Sequence, residues 1–152
     1  EKGKEIDNGG DISATAEKVA SAVLRKIKEV YPSYKIEVTA GNDYYHQNKI
    51  SYVSNHTKGK GIDFVLLPRA NFIAPRSNEN EKVLDNIVRI LNSFSKTNPE
   101  FGYIDEYRQK TKGANGNHFH IEYPATGLAK NIARQGAQSG ITAFGDFTIK
   151  GI

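Results

Sequence analysis

The chain has 152 residues, 38% of them hydrophobic and 25% charged, which suits one globular domain on the usual scale of roughly 100–200 residues per domain. It contains no Cys, which excludes disulfide frameworks and thiolate metal sites, so any transition-metal site must draw on His, Asp or Glu. The formal net charge of +4 is mild and the basic residues are scattered. No apolar run approaches the roughly 18 residues of a membrane span, so neither a nucleic-acid footprint nor a membrane segment is read here.

Residues 1–11 are charged and glycine-bearing with Ile6 as their one apolar residue, and 1–12 read as a flexible lead-in. The chain starts at Glu1 and has no Met, which reads as a piece of a larger polypeptide. Over residues 13–31, Val19, Val23, Ile27 and Val30 recur at helical spacing, with Leu24 widening the stripe, Asp11 or Ser13 available as N-cap and Pro32 as the stop. Residues 34–40 alternate Tyr34, Ile36, Val38 and Ala40 against polar neighbours, the period of a half-buried strand. A polar loop through Tyr44, Tyr45 and His46 follows. Residues 62–67 form an apolar run closed by Pro68 and interrupted by Asp63, a buried strand carrying one costly residue. Residues 79–97 predict a second amphipathic helix, ended by Asn98 and Pro99.

Strands are predicted at 102–108 and 117–123, joined as a hairpin by the glycine-rich turn from Gly113 to Gly116. Residues 124–152 hold five of the fourteen glycines and a weak helical patch at 128–137, and read as a C-terminal extension or linker. The expected fold is an α+β domain over 13–123, with two main helices packed on a mostly antiparallel sheet.

Four histidines occur, His46, His56, His118 and His120. On a strand, His118 and His120 project from one face while Phe119 and Ile121 point into the core behind them. A His-x-His pair alone is weak evidence of a metal site. Asp63 adds to it, because a carboxylate inside Ile-Asp-Phe-Val-Leu-Leu is costly unless it is paired with a cation or bound to a metal. Gly59 and Gly61 let the loop bring His56 beside it. Together these elements offer two histidines and one carboxylate with a fourth position free, a set suited to catalytic zinc with a bound water.

These residues resemble the zinc peptidases of the D-Ala-D-Ala carboxypeptidase, lysostaphin and hedgehog group, whose pattern is Ser-x-His-x-x-Gly-x-Ala-x-Asp followed by His-x-His or a single His. Ser54, His56, Gly59 and Asp63 match the pattern, Gly61 replaces the Ala, and His118-Phe119-His120 supplies the closing motif. The resemblance implies one Zn2+ per chain held by His56, Asp63 and His120, with His118 as the catalytic proton-handling residue. It also implies hydrolysis of peptidoglycan peptides by a zinc-activated water, in an extracellular, periplasmic or virion-associated setting such as a phage lysin or wall hydrolase.

Two positions depart from the group. Asn117 stands where carboxypeptidase and endolysin members carry an Asp or Glu base, which leaves the proton to His118 or makes the chain a non-catalytic zinc-bearing binding module. The segment Ala40-Gly41-Asn42-Asp43-Tyr44-Tyr45-His46 lacks the Arg that many members use to bind a substrate carboxylate, which favours an endopeptidase. Tyr44, Tyr45, His46 and Ser54 are candidate substrate-binding residues, and Arg69, Arg76 and Arg108 are candidate replacements for the missing cation. Lys58 and Lys60 could attract anionic wall polymers. A rival reading of His118-Phe119-His120 is the metal-dependent nuclease of rolling-circle replication. It leaves His56 and Asp63 unexplained, and no Tyr follows Tyr123 to serve as the nucleophile of a replication initiator.

Overall fold

The computed structural model describes residues 14–40, 60–110 and 117–151. In chain order the elements are α1 (Ala14–Val30), β1 (Lys35–Ala40), β2 (Gly61–Leu67), a 3-10 turn (Arg69–Phe72), α2 (Asn78–Thr97), β3 (Gly102–Asp105), β4 (Phe119–Glu122) and α3 (Gly127–Gln138). The strands form one antiparallel sheet in the order β1-β2-β4-β3, so the fold is α+β as the periodicities predict.

The apolar stripes of the helices explain the packing. Val19, Val23 and Ile27 of α1 and Leu84, Ile87 and Leu91 of α2 are buried against Phe64 and Leu66 of β2 and Phe119 and Ile121 of β4. Phe64 and Phe119 are register partners whose rings stack with centroids 5.4 Å apart. Helix α2 starts at Ser77, whose side chain accepts a hydrogen bond from the backbone N–H of Asn80, 3.1 Å away, and it ends at Asn98. Alternation along the strands leaves Asp63, Val65, His118, His120 and Glu122 on the opposite face of the sheet.

The hairpin is present, with strands shorter than expected. β3 stops at Asp105 because that side chain turns the backbone: its Oδ1 accepts the N–H of Tyr107 at 3.0 Å, its Oδ2 the Nε of Arg108 at 2.7 Å, and its carbonyl the N–H of Gln109 at 2.8 Å.

Residues 124–151 pack on the domain. Helix α3 lies close against β3 at Gly102, where an added Cβ would meet Ala125 and the backbone of Ala129. Phe147 and Ile149 are buried in the core, and Thr97 Oγ1 donates to the Phe147 carbonyl at 3.1 Å. Among the described residues, no helix is long and apolar enough to cross a membrane.

Candidate metal centre

Asp63 and His120 are register partners on β2 and β4, which places their side chains on one face across a single strand gap. His120 Nδ1 lies 2.8 Å from Asp63 Oδ1, and its Nε2 lies 2.7 Å from Glu122 Oε2. Glu122 follows His120 by two residues, so strand alternation puts it on the same face, where its Oε1 also accepts the backbone N–H of Thr126 at 3.3 Å. Thus a carboxylate flanks each nitrogen of the imidazole. Burial disfavours the charged ring, but the bonds to Asp63 and Glu122 outweigh it and push the His120 pKa up to about 9.

His118 is buried on the same face, its Nε2 2.7 Å from Glu106 Oε1 and 3.5 Å from Asp63 Oδ2. Glu106 is 5% exposed and follows β3 directly. The register that pairs Ile104 with His120 continues past the end of the strand, since the Glu106 N–H donates to the His118 carbonyl at 3.0 Å. Burial lowers the His118 pKa, while the bond to Glu106 and the nearby Asp63 raise it, for a net rise above its ordinary 6.5.

The donor set suits a divalent cation. Asp63 and His120 Nδ1 already meet, and a metal displacing the proton between them would find an imidazole nitrogen and a carboxylate oxygen side by side. Glu122 behind Nε2 is the carboxylate that commonly orients a metal-binding histidine. An overlapping set exists: one oxygen of Asp63, one of Glu106 and a ring nitrogen of His118 all lie within 4.8 Å of one another. Asp63 belongs to both sets.

The structure therefore brings together Asp63, His118 and His120 of the residues named from sequence. His56, Ser54, Tyr44, Tyr45 and His46 lie outside the described residues, as do Lys58 and the turn at Gly113. Asn117 accepts from Lys110 Nζ at 2.7 Å, an exposed contact. Of the three arginines, Arg76 is buried against Glu81 and the Phe72 carbonyl, and Arg108 is held by Asp85 and Asp105. Arg69 pairs with Glu37, both more than half exposed. Glu37 is the register partner of Val65, so this pair lies over the face that carries Asp63. Arg69 also lines a small cleft of about 60 Å³ with Ile73, Tyr107 and Asn117.

Glu106 and Glu122 were not singled out from the sequence. Glu122 carried a signal, since it continues the alternation of His118 and His120. Glu106 is reached only through the hairpin register. Compared with protein-family models, curated proteins and solved structures, the chain matches none of them.

Proposed function

We propose that the chain is a zinc-dependent peptidase acting on the peptides of peptidoglycan, as an endopeptidase, in an extracellular, periplasmic or virion-associated setting. The observation that carries this reading is the meeting of Asp63 and His120 at 2.8 Å with Glu122 behind the second ring nitrogen. His56, which precedes β2 in the sequence and lies outside the described residues, is the third ligand in the proposal. A zinc ion held by the three residues would polarise a peptide carbonyl and acidify a water at neutral pH.

The chain's own residues then divide the work. Asp63 and His120 hold the cation from two neighbouring strands, so the sheet fixes their separation. Glu122 accepts the Nε2 proton of His120, which leaves Nδ1 as the ligand atom. His118, on the same face and beside Asp63, is placed to hold a proton near the scissile bond. Tyr44, Tyr45, His46 and Ser54, which lie outside the described residues, are the proposed substrate contacts.

The test is digestion of purified peptidoglycan by the zinc-loaded chain, with new amino groups and muropeptide masses as readout. Release of peptides with fresh N-termini supports the reading. Stoichiometric zinc with no cleavage supports a binding module instead, the second reading that Asn117 favours. Absence of both zinc and cleavage contradicts each of them.

A further inference from the structure

Asn117 cannot accept a proton, so a peptidase built on this face would have no carboxylate at that position. The fold presents another one. Glu106 reaches the face from the turn that follows β3, is 5% exposed, and lies with Oε1 2.7 Å from His118 Nε2. Two features make this a built contact. The Glu106 N–H donates to the His118 carbonyl at 3.0 Å, which locks the two backbones in register. Lys110 Nζ bonds both the Glu106 carbonyl, at 2.9 Å, and Asn117 Oδ1, at 2.7 Å, which ties the end of β3 to the start of β4.

We infer that Glu106 is the positioning residue of His118: its buried carboxylate, carried on the turn that follows β3, bonds Nε2 and so fixes the ring beside Asp63. This rests on the peptidase reading. A buried carboxylate bonded to an imidazole sets the tautomer and orientation of the ring, and loss of the equivalent partner of a metal-binding histidine commonly costs about 10–100-fold in activity or metal affinity, the scale carried over to His118. Here the cost falls on turnover, because the proposed ligands His56, Asp63 and His120 do not include Glu106.

The experiment compares the zinc-loaded full chain with Glu106→Gln, Glu106→Asp and Glu106→Ala, measuring kcat and KM on a soluble muropeptide, zinc per chain and thermal unfolding. The expected result for Glu106→Gln is a kcat lower by about 10–100-fold with KM and zinc content unchanged, and partial recovery in Glu106→Asp. Should Glu106→Ala fail to fold, the Gln and Asp variants decide. Unchanged kcat in Glu106→Gln overturns the inference and leaves the peptidase reading standing. Loss of zinc in Glu106→Gln also overturns it, by making Glu106 a ligand of the overlapping set. A parent chain that binds zinc and cleaves nothing overturns the peptidase reading and this inference with it.

Discussion

Asp63 and His120 face each other across adjacent antiparallel strands, and the 2.8 Å contact between them joins a half-buried carboxylate to a buried imidazole. A carboxylate in the apolar run of β2 is costly without this partner, and the imidazole is held charged by it. Asp63→Asn keeps the shape and removes the charge. In chelator-treated protein it should lower the free energy of unfolding by about 2 kcal/mol, the range for a hydrogen bond to a charged group. Urea denaturation of both proteins at neutral pH measures this.

The same pair predicts a pH dependence. The folded pKa of His120, about 9, lies above its ordinary 6.5, so the folded state binds the proton more tightly than the unfolded chain. The stabilisation is fully present below about pH 6.5 and is lost as pH rises through about 9, on the order of 3 kcal/mol in all. Chelator-treated protein should therefore become steadily easier to unfold with urea between these values. His120→Gln should flatten the profile.

In the proposed zinc site Glu122 would act on the cation through His120. Glu122→Gln removes the charge behind Nε2 and should weaken zinc binding by about 10–100-fold while leaving the sheet intact. Competition with a chromophoric chelator reads the affinity, and circular dichroism checks the fold. An affinity equal to the parent's would mean that His120 is oriented without Glu122.

Arg69 pairs with Glu37, itself exposed, and exposed pairs contribute roughly 0–1 kcal/mol. Arg69→Ala should leave the unfolding midpoint nearly unchanged. If the cleft beside Asn117 receives an acidic part of the substrate, KM for a carboxylate-bearing muropeptide should rise several-fold, with less effect on its amidated counterpart. Equal KM changes for both peptides would remove Arg69 from substrate recognition.

Much of the fold is legible in the sequence because its signals are local. Val19, Val23 and Ile27 mark α1 by their period, Pro32 and Pro99 bound the helices, and the alternation of residues 34–40 marks β1. The end of β3 was not legible, because the turn depends on the Asp105 side chain capturing its own downstream backbone. The burial of Phe147 and Ile149 was equally hidden, since two apolar residues in a glycine-bearing tail show no period, and their place exists only in the folded core, where Phe147 packs on Phe94 of α2 beneath Lys26 of α1.

At the site, the expense of Asp63 and the shared face of His118 and His120 could be read from strand alternation alone. Glu106 could not, because its approach to His118 depends on the register of a hairpin whose turn length the sequence leaves open.

The most direct measurement is zinc content by elemental analysis of the purified protein and of His56→Ala, Asp63→Ala and His120→Ala, alongside turbidity loss on purified peptidoglycan. The account predicts one zinc per chain in the parent, with zinc and lysis lost together in all three variants. A parent without zinc or lysis, or folded variants that keep both, would contradict it.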